Sequence, residues 1–482
     1  MTKWSLILLL LIAPGVNAQV GFSPFRQDFP PAEFAARRAK VVESIGPTSI
    51  ALLQGAPSPP GYTRFRQWND FYYLCGIEIP HAYLLLDGAS KRTLLYLPHR
   101  NAGRERGEGK VLSAEDAEEV KKLSGVDDLF GTDLLGEHLA RYTRNIRTVM
   151  TPFSPAEGTA MSRDLAVRVI GDYSADPFDG RSSREGEFIQ LLRTRFPQFT
   201  INDLTPTIDQ LRLIKSPREI SMLEKATKLS GLALMEAMRS TVPDIYEYEL
   251  DAVAKYVYYR DGAQGDAYYS LIASAQNAYW PHYNAGQRKM LDGDFLLMDY
   301  APDVGYYMSD VTRMWPVNGK FSPWQRELYG FYLTCYRAIL NHIRPGVTAQ
   351  AIKLEAVRDM ESALSSTKFS KPEYERAAQE FVNNYKQSAS NPRSGLGHWV
   401  GMATHDDGVD YGPLRAGMVF TIEPALVVPE EKIYVRLEDM IVITETGARI
   451  ISDFVPMDIA GIEKVMTEEG MLQKYPRMKA GS

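Results

Sequence analysis

The stretch FLLMDYAPDVGYYMSDVTR (Phe295–Arg313) sets two aspartates, Asp299 and Asp310, inside otherwise apolar, strand-like sequence. The pattern predicts strands over 295–300 and 306–314, joined by a turn at Gly305, an arrangement that can bring both carboxylates to neighbouring positions. Two later segments repeat the theme. FTIEP (Phe420–Pro424) carries Glu423, and YVRLE (Tyr434–Glu438) carries Arg436 and Glu438. Side chains alternate along a strand, so Ile422 and Glu423 face opposite ways while Arg436 and Glu438 share a face. Strands are expected over 419–428 and 434–444. An isolated buried carboxylate costs several kcal/mol, so four acids in apolar strands ask for a cation among them. For any one of them alone, a solvent-facing place on an antiparallel sheet explains the pattern as well.

GLGHWVGMATHD (Gly395–Asp406) adds His398 and His405, flanked by glycines that let backbone approach a ligand. YWPHY (Tyr279–Tyr283) contributes His282 in an aromatic setting, which alone would read as packing. Upstream, Ser216-Pro217-Arg218-Glu219 is a capping box with proline at the first helical position, opening a helix over 220–238. Further helices are expected over 247–260, 323–343, 349–364 and 372–385. Before them come a helix over 33–45, a strand over 49–53 and a hairpin of 84–87 with 93–97. NAGRERGEGK (Asn101–Lys110) is polar and glycine-rich and reads as a mobile surface loop. No repeat of solenoid period occurs. The picture is an α/β domain followed, past a boundary near 203–209, by a larger α+β domain.

The 482 residues, 45% hydrophobic and 24% charged, suffice for ordinary globular cores in two or three domains. Lys+Arg 54 against Asp+Glu 60 leaves no basic excess to follow phosphates, so no nucleic-acid partner is expected. Two cysteines, Cys75 and Cys335, exclude a disulfide-rich scaffold and a thiolate zinc cluster. A metal site must therefore draw on carboxylates and the seven histidines. MTKWSLILLLLIAPGVNA (Met1–Ala18) has the pattern of a secretory signal peptide, with Lys3, an apolar run and an A-x-A-like end at Val16–Ala18. The run is short for a bilayer span of about 20 residues. The expectation is export to a periplasm or medium, with no stable membrane anchor. A Gly-x-Ser-x-Gly elbow, a Cys-x-x-Cys pair, a His-Glu-x-x-His helix and a phosphate loop are all absent from the sequence.

From His282 to Glu438 the chain resembles the pita-bread metallopeptidases, the group of aminopeptidase P, prolidase, methionine aminopeptidase and creatinase. FRQWNDFYYLCG (Phe65–Gly76) resembles the N-terminal domain of the aminopeptidase P and prolidase branch, and SDVTRMWPVNGKFS (Ser309–Ser322) its second metal strand. The resemblance implies an α/β N-terminal creatinase-like domain over 22–205 and an α+β pita-bread catalytic domain with a curved antiparallel sheet over 206–462. A leader over 1–18 and a C-terminal tail over 463–482 complete the expected division. It also implies two divalent metal ions held by Asp299, Asp310, His398, Glu423 and Glu438. Asp299 would hold one ion, Asp310 and Glu438 would bridge, and His398 and Glu423 would hold the other. Such an oxygen-rich set suits Mn²⁺, with Co²⁺ or Zn²⁺ as alternatives. Two cations roughly 3.5–4 Å apart acidify a bridging water and polarise the scissile carbonyl. In the implied mechanism the resulting hydroxide attacks an N-terminal peptide bond, at Xaa-Pro.

By the same resemblance, Glu423 takes and returns a proton at that water. His282 and His405 contact the substrate and stabilise charge on the carbonyl oxygen. Arg436, about 6.6 Å along its strand from Glu438, orients a carboxylate or the substrate, or makes a plain cross-strand ion pair. The partners implied are a peptide substrate and further copies of the chain, as a dimer or tetramer. His81, His99, His138 and His342 fall to structure or surface. Three departures stand out: Asp299-Tyr300-Ala301 where relatives show Asp-x-Gly, Glu423-Pro424-Ala425 where they show Glu-Pro-Gly, and Ser394. Prolyl-specific members carry His-Gly-x-x-His, whose first histidine lines the proline pocket, and Ser394 stands there. That leaves open a hydrolase of non-prolyl peptides or of a small C–N compound, as in creatinase. An inert peptide-binding homologue is a third reading, although such modules typically lose ligands.

Overall fold

The computed structural model describes residues 28–475. The leader expected over 1–18 lies outside the described residues, as do 476–482 of the tail.

Six strands build the first sheet: β1 (Ser49–Gln54), β2 (Tyr83–Asp87), β3 (Thr93–Leu97), β4 (Asp128–Gly131), β5 (Thr148–Thr151) and β6 (Thr200–Asp203), in the order β4-β3-β2-β1-β5-β6. β1 and β2 are near-continuous apolar runs, SIALLQ and YLLLD, buried along almost their whole length, as suits strands covered on both faces. β1 pairs antiparallel with β2 and parallel with β5, so the sheet is mixed. The helix Pro31–Ile45 buries Phe34, Val41 and Val42. It also buries Arg38, which donates to the carbonyls of Leu74 and Ser124. Asn101–Lys110 is not a loop. Asn101 caps a short helix, Ala102–Glu108, by accepting from the Arg104 amide, and Arg104 pairs with Glu108 one turn on. The glycines that argued for a loop are outweighed by this cap and ion pair.

The second part opens with the helix Pro217–Ser240, whose Ser216–Glu219 capping box is formed in both directions. The helix Glu247–Arg260 packs beside it. Five strands follow: β7 (Gly265–Asp266), β8 (Leu271–Ser274), β9 (Phe295–Asp299), β10 (Pro302–Asp303) and β11 (Thr312–Pro316). β8, β9 and β11 form one antiparallel sheet, with Asp299 opposite Thr312 on one side and Leu271 on the other. Residues 306–311 are not strand, contrary to the sequence pattern. Gly305 and Tyr306 take left-handed backbone angles, φ 62° and 73°, and the ladder resumes only at Thr312.

The last strands are β12 (Val419–Ile422), β13 (Ala425–Val428), β14 (Ile433–Arg436), β15 (Asp439–Ile443) and β16 (Ala448–Ile450). Each of the two long strands expected here is divided. The first breaks at Glu423-Pro424, where proline has no N–H to give a ladder. The second breaks at Leu437-Glu438. β12 then pairs with β15, and β13 with β14, in separate sheets. Tyrosines from the outer helix Pro323–His342 satisfy the backbone at these breaks. Tyr332 donates to the Pro424 carbonyl and accepts from the Leu437 amide, and Tyr336 donates to the Ile422 carbonyl. The acidic side chains at the breaks are thereby held by the core rather than by a regular ladder.

The two parts are locked together. Tyr306 stacks on Tyr72 with ring centroids 3.6 Å apart, and Arg66 pairs with Asp303 at 2.6 Å. Arg212, 1% exposed, bonds to Asp70 and Glu157 from the first part and to Asp406 from the second. Cys75 and Cys335 are buried and unpaired. Among the described residues, no helix is long and apolar enough to cross a membrane.

Candidate active site

The end of β9, the entry to β11, and the two strand breaks converge on one place. Thr312 is the pivot. Its amide and carbonyl pair with those of Glu438 in both directions, at 3.3 and 3.1 Å. Its hydroxyl donates to Glu438 Oε2 at 2.9 Å and accepts from Arg436 Nη2 at 3.2 Å. His398 arrives from the glycine-rich segment, which is pinned to β12 by the Thr421 amide on the His398 carbonyl. A Cβ on Gly397 would lie 2.0 Å from the Thr421 carbonyl oxygen, so only glycine lets the imidazole come this close.

His398 Nε2 lies 3.5 Å from Asp310 Oδ2, 3.3 Å from Glu423 Oε1 and 3.5 Å from Glu438 Oε1. Its Nδ1 faces the Trp399 carbonyl at 3.2 Å, which directs Nε2 at the acids. Tyr268 joins Asp299 to the group, its hydroxyl reaching Asp299 Oδ1 at 2.5 Å and Asp310 Oδ1 at 2.7 Å. Arg436 bonds to Asp299 Oδ2 and, at 3.2 Å, to Glu423 Oε2. It holds both carboxylates at once, which fits the expected orienting role and a plain cross-strand ion pair alike.

The acids strain against one another. Burial, with Asp299 nearby, pushes Asp310 up to about 6. Burial and Asp310 raise Glu438 to about 7, and burial and Glu438 raise Glu423 to about 7. Burial alone would make His398 less basic, but its contacts with Asp310 and Glu438 prevail and hold it well above the usual imidazole range. For the three acids burial is the largest cause and the neighbouring carboxylates add to it, so negative charge is buried here without a sufficient counter-charge. One donor atom each from Asp310, His398 and Glu438 lies within 4.8 Å of the others, and Glu438 Oε1 is buried with no hydrogen-bond partner. A divalent cation fits that set: it would give the orphaned oxygen a partner and oppose the crowded charge.

The remaining residues lie around this cluster. The His405 ring is 4.3 Å from that of His398, and its Nδ1 meets Asp164 of the N-terminal part at 3.1 Å. His282 is exposed, and burial of part of its ring together with Arg436 lowers its pKa. Tyr268 and Thr312 were not singled out in the sequence. Tyr268 sits in the unremarkable Ala267-Tyr268-Tyr269, and Thr312 two residues past Asp310 reads as ordinary strand filler. His81, His99, His138 and His342 all stand apart, bonded to Ser58, to Glu115 and Asp133, to Tyr96, and to Asp359. A cavity of about 910 Å³ also lies apart: Pro59, Trp68, Arg104, Lys110 and Asp303 line it, and no acid of the cluster does.

Residues 221–445 match the model of metallopeptidase family M24, and residues 34–150 that of the aminopeptidase P N-terminal domain. The Xaa-Pro aminopeptidase of Escherichia coli (strain K12) is 32% identical over 437 residues, covering 86% of this chain and 93% of that protein. Among solved structures, Pseudomonas aeruginosa aminopeptidase PepP superposes with a TM-score of 0.74 at 26% identity, covering 91% of this chain and 98% of that one. Zinc-substituted E. coli aminopeptidase P in complex with product gives 0.72 at 28% identity, with the same coverage.

Proposed function

The chain belongs to the aminopeptidase P family within metallopeptidase family M24, and from that premise we propose that it is an exported, two-metal aminopeptidase that cuts Xaa-Pro bonds. That it is a metallopeptidase of Xaa-Pro aminopeptidase type follows from the relatives. The finer reading rests on one observation above all: Asp310, His398, Glu423 and Glu438 converge on a buried point where a carboxylate oxygen lacks a partner. These four, with Asp299, are the residues that would hold the ions, Mn²⁺ first by the chemistry of the donors. When bound, such ions acidify a water and polarise the scissile carbonyl.

The chain's own groups do the rest. Glu423, the most exposed acid of the cluster, is placed to accept the proton of the attacking water and return it to the departing nitrogen. Arg436 fixes the orientation of Asp299 and Glu423. Exposed His282 and His405 stand at the rim, where a substrate carbonyl oxygen can accept from them. Asp164 steadies His405 through Nδ1, leaving Nε2 free. The leader-like Met1–Ala18 supports export, and Ser394 supports a second reading in which the residue after the cleaved bond need not be proline.

E423Q is expected to abolish hydrolysis, with a loss of at least about 100-fold. A purified variant with full, metal-dependent turnover defeats the assignment. Paired Xaa-Pro and Xaa-Ala peptides decide the second reading, since equal rates remove prolyl preference. N-terminal sequencing of protein from the culture medium or periplasm tests export, with a start after Ala18 expected.

A further inference from the structure

Lys353 lies in the helix Ala349–Ser366 and is 3% exposed. Its Nζ donates to Ser388 Oγ at 2.8 Å and to Ser394 Oγ at 2.6 Å, and the two hydroxyls are 2.8 Å apart. No carboxylate among the described residues lies in ion-pair range of it. A buried ammonium without a counter-charge is costly, and proteins keep one where something anionic completes it. Burial alone pushes this lysine down to about 8, so at neutral pH it still carries most of its charge.

The hydrogen atoms can be counted. Lys353 fills one lone pair on each hydroxyl, and one hydroxyl proton is used between Ser388 and Ser394. One hydroxyl proton, on Ser394 when Ser388 donates between the two and on Ser388 in the other arrangement, is left without a protein acceptor. Of the two serines, Ser394 lines a cavity of about 210 Å³ whose wall also includes Gly397 and Trp399, the two neighbours of His398. The charged residues of that wall are Arg393, exposed and without an ion pair among the described residues, and Asp410, engaged by Arg415 at 2.8 Å. The cavity wall thus holds a serine hydroxyl backed by one cation and flanked by another, on the segment that carries His398.

We propose that Lys353, Ser388 and Ser394 form a subsite that recognises a carboxylate on the leaving side of the peptide substrate. This rests on the peptidase reading above and narrows its substrate class to peptides bearing an anion just past the cleaved bond. Two sources share the chemistry: the free C-terminus of a dipeptide, or an Asp or Glu side chain one residue further on. The Ser394 hydroxyl delivers the hydrogen bond, and Lys353 sets its polarity from beneath.

The test compares matched pairs on the metal-loaded enzyme: Ala-Pro against Ala-Pro-amide, and Ala-Pro-Glu-amide against Ala-Pro-Gln-amide. The carboxylate member of at least one pair is expected to have a KM about tenfold lower, and which pair responds identifies the source. K353M should collapse that ratio toward one. S394A, on an accessible loop, should narrow it too and serves if K353M does not fold. Equal KM values within both pairs, or a ratio unchanged in K353M and S394A, overturn this inference alone. If proline peptides are not cut but Ala-Ala and Ala-Ala-amide are, prolyl preference falls while that pair carries the same comparison. If no peptide is cut, the peptidase reading falls and takes the subsite with it.

Discussion

Replacing Tyr268 by Phe isolates the contribution of a residue that touches two acids of the cluster and holds nothing else there. Phe keeps the ring and its edge-on packing against Tyr300, with centroids 6.4 Å apart, and deletes one oxygen. That oxygen bonds to Asp299 and Asp310 at 2.5 and 2.7 Å. Burial, reinforced by Asp299, holds its own pKa well above the usual tyrosine range, so it stays a neutral phenol whose single proton serves one of the two acids at a time. A hydrogen bond to a charged group contributes roughly 1.5–3 kcal/mol. At about 1.4 kcal/mol per decade that predicts a 10- to 100-fold loss of metal affinity, the range seen when groups supporting metal ligands are removed. The loss should fall on Asp310 more than on Asp299, because Asp299 keeps Arg436 whereas Asp310 keeps only the 3.5 Å contact with His398. Stripping the enzyme with a chelator and titrating Mn²⁺ calorimetrically measures the affinity, with turnover then read at saturating metal. Unchanged stoichiometry and weakened binding are expected. An affinity within twofold of the parent would refute the view that Tyr268 organises the acids.

Two further predictions concern stability. Asp310, Glu423 and Glu438 have folded-state pKa values above their unfolded ones, so their contribution is full below about pH 4 and is lost as pH rises through about 6 to 7. His398, also raised, loses its contribution in the same direction. The gain in melting temperature on adding Mn²⁺ to metal-free protein should therefore be larger at pH 8 than at pH 5, and a gain independent of pH would contradict it. R212M removes a guanidinium that bonds to Asp406 and that, together with Asp407 and Arg163, opposes burial to hold Glu157 at about 2. Breaking such a buried pair costs about 3–5 kcal/mol, visible as a lowered urea midpoint. An unchanged midpoint would show that the network linking the two parts contributes little.

How much of this was legible beforehand depends on what each residue's role requires. The acids drew attention as a set, because four carboxylates in apolar runs ask for a cation although any one alone suits a solvent-facing strand position, and the Ser216–Glu219 box is a purely local device that forms as read. The strand breaks were half legible. Pro424 is a local signal that β12 must end, but nothing in Leu437-Glu438 departs from strand pattern, and the break there follows from Tyr332 filling the vacated ladder from another helix. The helix Ala102–Glu108 was hidden by its glycines although Asn101 stood ready as its cap.

Tyr268 and Lys353 belong to a different class. A tyrosine in a mixed segment and a lysine in an amphipathic helix are the commonest solvated or half-buried residues, and only their partners make them unusual. Those partners lie 31 and 42 residues away for Tyr268, and 35 and 41 for Lys353. Sequence pattern reports the cost of burying a group, which is a property of one residue. It does not report the relief of that cost, which is a property of whatever the fold brings alongside. The acids of the cluster could be suspected from the first quantity. The residues that aim them, and the lysine beneath Ser394, could be found only from the second.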